Sequence, residues 1–142
     1  MATVQDILQA KGHDVITISP EATVYAALER LAEYDIGALV VTAENEVVGI
    51  FSERDYARKI VLHGRDSRDT AVRDIMTEEV VCVRPNQSVE KCMAIMTEKR
   101  IRHLPVLVEG KLAGVVSIGD VVKAIMREQQ VLIDHLQDYI YS

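Results

Sequence analysis

The sequence predicts a mixed fold, α/β in the α+β sense: two pseudo-twofold-related βαββα repeats that bury a shared face, followed by a long C-terminal helix. Three observations predict it. A signature of Gly, two apolar residues, Ser, two variable residues and Asp occurs twice, as "GIFSERD" (49–55) and "GVVSIGD" (114–120). Shifted by 65 residues, 20–58 aligns without a gap with 85–123, and 10 of 39 positions are identical, among them Pro20/Pro85, Leu39/Leu104, Gly49/Gly114, Ser52/Ser117 and Asp55/Asp120. Upstream, "VQDIL" (4–8) is echoed by "VRDIM" (72–76), at an offset of 68. Two copies are too few for a solenoid, so a pseudo-twofold pair is expected.

Each element follows from local pattern. "VITIS" and "VVCVR" are short β-branched runs that end at Pro20 and Pro85, which predicts a strand in each repeat. Thr23 and Ser88 then stand at helix N-caps, where a side-chain oxygen accepts from a free backbone N–H. Val24, Ala27, Leu28 and Leu31 share one helical face, as do Val89, Cys92, Met93 and Met96. Next come two hairpins, "IGALVVT" with "VVGIF" around 44–46, and "HLPVLV" with "LAGVV" around 109–111, where Gly110 suits positive φ. Ser-x-x-Asp opens the last helix of each unit. These elements place the first repeat at 1–62, a polar linker "HGRDSRD" at 63–69, and the second repeat with its C-terminal helix at 70–142. That helix runs on through Ile125, Leu132, Leu136 and Ile140. It either packs on the chain's own core or pairs with a second subunit.

Composition narrows function. Of 142 residues, 49% are apolar and Trp is absent, so the core is aliphatic. The net charge of −6 gives no basic stripe for nucleic acid. No apolar run reaches the ~18–20 residues of a membrane span, and the N-terminus does not read as a signal peptide. A soluble cytoplasmic protein is the expectation, with no membrane and no nucleic-acid partner. Cys82 and Cys92 have no CxxC spacing and read as core thiols. His13, His63, His103 and His135 show no metal-ligand spacing. Neither a catalytic nucleophile–base pair nor a phosphate-binding Gly-rich loop occurs, so no catalytic residue, metal site or catalytic cofactor is assigned.

The repeated signature has two readings. Ser as N-cap with Asp three residues on is a self-contained helix start. The same helix start also offers N–H groups and positive potential to a phosphate, while a carboxylate can accept from ribose hydroxyls.

The tandem pattern, "ISPEATVYAAL…IGALVVTAENEVVGIFSERD" and "VRPNQSVEKCM…IRHLPVLVEGKLAGVVSIGD", resembles a pair of cystathionine-β-synthase (CBS) domains, a Bateman module, over nearly the whole chain. The resemblance implies βαββα repeats packed through their sheets, with two clefts for an adenosine ligand such as AMP, ADP, ATP or NAD. It implies a regulatory module without catalysis, acting on a separate partner protein and commonly as a homodimer. The alternative is an interaction or dimerisation module with no physiological nucleotide.

Residue by residue, the resemblance makes Asp55 and Asp120 ribose acceptors and sets Ser52 and Ser117 beside the phosphates. Ile16, Thr17 and Ile18, and Val81, Cys82 and Val83, would line the adenine. Each cleft would be composite. Asp55, Ser52 and Arg54 would join Val81, Val83, Arg102, His103 and Pro105, whereas Asp120, with Ser117 and Gly119, would join Thr17, Ile18, Gly37 and Ala38. Gly37 and Ala38 align with Arg102 and His103, so the Asp120 cleft is expected to have almost no side-chain cation. Phosphate-bearing ligands would therefore prefer the Asp55 cleft. Without ligand, Asp55 is expected to face solvent.

Overall fold

A computed structural model describes residues 1–141; Ser142, the end of the second repeat, lies outside them. The chain divides into two compact units. One comprises Val15–Val81 with Glu109–Leu112, the other Met1–Asp14, Cys82–Val108 and the chain from Ala113 onward. The units are not the sequence halves: the N-terminal segment belongs with the second repeat.

In the first-repeat unit, β1 (Thr17–Ile18) pairs parallel with β2 (Ala38–Ala43), which pairs antiparallel with β3 (Glu46–Ser52). The β2–β3 turn puts Glu44 and Asn45 at φ 53° and 67°, the left-handed pair that suits a two-residue hairpin. Helix α2 (Val24–Tyr34) starts at Thr23, whose side chain accepts from the Ala26 N–H. It buries Val24, Ala27 and Leu31 against Leu39, Val41 and Phe51. Ser52 opens a short α3 (Glu53–Asp55), which passes into a π-helical turn, Tyr56–Val61. The "VRDIM" echo forms a 3₁₀ turn at Val72–Asp74 and buries Val72 and Ile75 in this core. The expected linker is bound to α2: the Ser67 carbonyl accepts from the Tyr25 N–H, that of Thr70 just beyond the linker accepts from the Val24 N–H, and the Arg68 guanidinium stacks 4.4 Å from the Tyr25 ring centroid.

The second-repeat unit has α1 (Val4–Lys11), α4 (Val89–Lys99), β4 (His103–Val108), β5 (Lys111–Ser117) and α5 (Ile118–Tyr141). Ser88 caps α4 by accepting from the Lys91 N–H, as expected. The Val4 and Gln5 N–H groups donate to the Gln87 and Pro85 carbonyls, which fastens α1 at the start of α4. The strand expected at "VVCVR" does not form. It is reduced to one parallel bridge, Val83 with Val106. The cause is Pro105, which replaces Val40 of the first repeat and has no N–H with which to extend the ladder.

The glycines of the signature show why "VQDIL" and "VRDIM" echo each other. A Cβ on Gly114 would lie 2.6 Å from Leu8 Cδ2, and one on Gly49 would lie 2.6 Å from Met76 Sδ and 3.0 Å from the Thr77 carbonyl oxygen. Leu8 and Met76 are corresponding residues of the echo. Each seats itself over a strand glycine, Leu8 over that of the second repeat and Met76 over that of the first.

Candidate functional site

In the first-repeat unit the signature is a closed hydrogen-bond set. Ser52 Oγ accepts from the Asp55 N–H at 3.2 Å, and Asp55 Oδ2 accepts from the Ser52 N–H at 3.0 Å and from Ser52 Oγ at 3.1 Å. This is a reciprocal capping box. The other oxygen, Oδ1, accepts from Thr77 Oγ1 at 3.3 Å and meets Lys59 Nζ at 3.1 Å. Lys59 also donates to the Ile75 carbonyl at 2.8 Å. With four groups around it, Asp55 is only 6% exposed. It does not face solvent, contrary to expectation, because both carboxylate oxygens are already engaged by this unit.

Beside it, Ala38 pairs with Ser52 across the sheet, and the Gly37 carbonyl accepts from the Glu53 N–H at 3.2 Å. Ile16, Thr17 and Val81 are half-buried, whereas Ile18 belongs to the core. Arg54 is exposed in α3. Lys59 also lines a cavity of about 480 Å³ with His63, Arg65, Asp74 and Ile75.

The second-repeat unit repeats the box. Ser117 Oγ accepts from the Asp120 N–H at 3.2 Å, and Asp120 Oδ2 from the Ser117 N–H at 2.9 Å. Its cation comes from α1: Lys11 Nζ is 2.8 Å from Asp120 Oδ2 and donates to the Val115 carbonyl at 2.9 Å. Asp120 also borders a cavity of about 210 Å³ lined by Ile7, Ala10, Lys11, Lys123 and Arg127. The expected lack of cations around Asp120 is therefore wrong. Burial raises the Asp120 pKa, but the Lys11 hydrogen bond, the Ser117 N–H, the Lys11 charge and the Ser117 hydroxyl together hold it below the usual carboxylate range.

Arg102 is exposed, and its carbonyl accepts from the Ile118 N–H at 2.9 Å, the counterpart of the Gly37 contact. His103 is half-buried. Desolvation depresses its imidazole pKa, Lys11 and Arg102 depress it further, and Asp120 opposes them. Pro105 is buried, Gly119 is exposed and Cys82 is half-buried. Val83 is buried with its N–H given to Pro105 and its carbonyl to Leu107, both at 2.9 Å, so it has no free backbone group for a base. Cys82 and Cys92 are free thiols, and burial raises both pKa values. Among the described residues no His, Cys, Asp and Glu group is placed to hold a metal, and no helix is long and apolar enough to cross a membrane.

The residues missed in the sequence are Lys59, Thr77, Lys11, Lys123 and Arg127. Lys59 was legible, four residues after Asp55 on one helical face. Lys11 had no local signal, because its position depends on α1 joining the second repeat.

The CBS domain family pattern matches 4–62 and 72–127. The mitochondrial CBS domain-containing protein CBSX3 of Arabidopsis thaliana is 40% identical over 147 residues, spanning 97% of this chain and 71% of that one. A CBS-domain protein of Burkholderia ambifaria, assigned to signal transduction, has 50% identity and a TM-score of 0.87, over 90% of this chain and 96% of its own. The CBS domain pair of protein MJ0100, in complex with 5′-methylthioadenosine and S-adenosyl-L-methionine, shares the fold: 22% identity and a TM-score of 0.79 over 90% of this chain and 98% of its own. With two matched repeats, mixed α/β units and a long C-terminal helix, this chain belongs to the CBS domain family as a tandem pair.

Proposed function

We propose that the chain is a non-catalytic regulatory module that binds an adenine nucleotide, one of AMP, ADP, ATP or NAD, and controls a separate protein. The observation that carries the reading is the Asp120 environment. A carboxylate at a helix start shares a cavity with Lys11, Lys123 and Arg127. A ribose phosphate needs that combination, an acceptor for the hydroxyls and cations for the phosphate. Asp55 with Lys59, beside His63 and Arg65, offers the same pairing. The MJ0100 pair supports the ligand class, since its complex holds two adenosine compounds.

Ribose hydroxyls and the lysine ammonium compete for one carboxylate. Ligand entry therefore displaces Lys11 from Asp120, or Lys59 from Asp55, and frees that lysine for the phosphate. Ser52, Ser117, Arg54, Arg102 and His103 serve the phosphate. Ile16, Thr17, Val81 and Cys82 serve the adenine, with Gly37, Ala38 and Gly119 beside them, whereas Ile18, Val83 and Pro105 are buried and back the pocket from the core. Ligand binding acts as a switch only so far as it favours one state of the pair over another.

The second reading, an interaction module with no physiological nucleotide, is favoured by the capping boxes, which satisfy Ser and Asp without a ligand. Native mass spectrometry of the purified protein and calorimetric titration with the four nucleotides separate the two. A co-purifying adenosine compound, or saturable binding, supports the sensor. No bound compound and no heat at millimolar nucleotide leaves the interaction module.

A further inference from the structure

The start of α5 carries a row of charge that the first repeat lacks. Asp120, Lys123 and Arg127 follow one another at steps of three and four, so they share one face of an uninterrupted α-helix. At the rise of an α-helix, Lys123 lies about 4.5 Å and Arg127 about 10.5 Å along the axis from Asp120. All three line the cavity of about 210 Å³, and Lys11 joins them from α1. Asp120 is the one carboxylate among the residues that line it, and Lys11 already holds that carboxylate. Among the described residues neither Lys123 nor Arg127 is ion-paired, and both are exposed.

The first-repeat unit has no such row. Arg58 and Leu62 stand at the corresponding distances from Asp55, so an uncharged side chain replaces Arg127. The backbone differs too, because Tyr56–Val61 is π-helical and does not continue the α-helical face. Arg58 does not line the cavity beside Lys59, which is bordered instead by the Asp74 carboxylate. A monophosphate needs one cation near the ribose, and the lysine released from either aspartate supplies it. A second and third phosphate need further cations along a line, without a carboxylate among them. Only the α5 row meets that condition.

We propose that the second-repeat site selects adenine nucleotides by phosphate number, with Lys123 and Arg127 as the specificity-determining residues. Asp120 takes the ribose, Lys11 the first phosphate, and Lys123 and then Arg127 the phosphates beyond it. The cavity is smaller than the roughly 300 Å³ at which pockets for whole ligands begin, so it holds the phosphate chain rather than the entire nucleotide. This selectivity rests on the adenine-nucleotide function proposed for the chain. It also reverses the ranking expected from aligned positions: polyphosphates go to Asp120 rather than to Asp55.

Calorimetric titration of the full chain with AMP, ADP and ATP, in magnesium-free buffer, tests it. ATP should bind at least about tenfold more tightly than AMP, with ADP between them, and the gap should narrow in high salt. Arg127→Met should cost ATP up to about tenfold and ADP less, whereas Lys123→Met should weaken both. Each substitution should move the ratio of ATP to AMP affinity towards one, and Arg127→Lys, which keeps the charge, should restore most of it. Circular dichroism should be unchanged in all three variants, because the side chains are exposed. ATP binding no tighter than AMP, or a ratio untouched by both methionine substitutions, would overturn the selectivity and leave the nucleotide function standing. Absence of binding by all three nucleotides would overturn the nucleotide function and the selectivity with it.

Discussion

Replacing Asp55 with Ala should destabilise the fold substantially as well as weaken ligand binding. The carboxylate holds Ser52 N–H, Ser52 Oγ, Thr77 Oγ1 and the Lys59 ammonium, at 6% exposure. Removing a capping side chain costs about 0.5–2 kcal/mol, and hydrogen bonds to a charged group are worth ~1.5–3 kcal/mol. The two overlap in the Ser52 contacts, and Lys59, with a side chain 42% exposed, can turn to water. A net loss of about 2–3 kcal/mol follows, roughly 6–10 °C in melting temperature for a chain of this size. Asp55→Asn keeps a capping acceptor and gives up only the charge, so it should lose about 1 kcal/mol. Urea denaturation followed by circular dichroism reads both, provided the transitions remain single and of equal slope. If Asp55→Ala stayed within about 0.5 kcal/mol of wild type, the carboxylate would be solvent-facing and its four contacts without energetic weight. Calorimetry on the same variants then separates ribose recognition from folding, since a protein that keeps a few kcal/mol of stability stays folded while it is titrated.

Arg102→Ala should weaken AMP binding more than adenosine binding, since adenosine has no phosphate to lose, and the gap should narrow in high salt; equal losses for the two ligands would remove Arg102 from the phosphate. Gly114→Ala forces a methyl into Leu8 and should cost about 1–3 kcal/mol, with part of that cost recovered in Gly114→Ala/Leu8→Ala by a double-mutant cycle. The His103 pKa is depressed in the folded state, so the unfolded chain takes up its proton first and stability should fall as pH drops below about 6.5. Stability curves at pH 7.5 and 5.5 should therefore diverge more for wild type than for His103→Gln. The depressed Asp120 pKa adds stability that is present above about pH 4 and lost as pH falls through its folded value. Lys11→Met should shrink that acid-limb loss, and a curve unchanged by the substitution would show that the ion pair does not hold the carboxylate.

The duplicated architecture was legible because duplication leaves a regular offset, and because period and punctuation agree within each copy. Thr23 and Ser88 cap the helices expected of them, and both hairpins fall where the β-branched runs and turn residues put them. Two local features were overridden. The run "VVCVR" has strand composition, yet a sheet needs donors on both sides and Pro105 withholds one. The polar 63–69 segment has linker composition, yet its Ser67 carbonyl, with that of Thr70 just beyond the segment, satisfies free N–H groups at the start of α2. In both cases a residue distant in sequence decided the outcome.

The candidate site was legible in its carboxylates and illegible in their counter-ions, for a reason rooted in the exchanged segments. Asp55 finds its lysine four residues along its own helix, a contact that spacing reveals. Asp120 has Ala124 at the corresponding place and takes its lysine from α1, more than a hundred residues earlier. Reading the clefts by aligned positions alone made Gly37 and Ala38 look like a deficit of charge. The exchange of α1 makes good that deficit from a part of the sequence that alignment of the signature never touches. It also ties the Asp120 carboxylate to the helix that packs on the start of α4 and, through the Ala2 N–H to Glu128, on α5. A ligand that takes Asp120 from Lys11 would loosen one end of α1 while Leu8 stays seated over Gly114. On the proposed reading the displaced lysine, rather than the aspartate, would be the group whose movement carries ligand occupancy into the second-repeat unit.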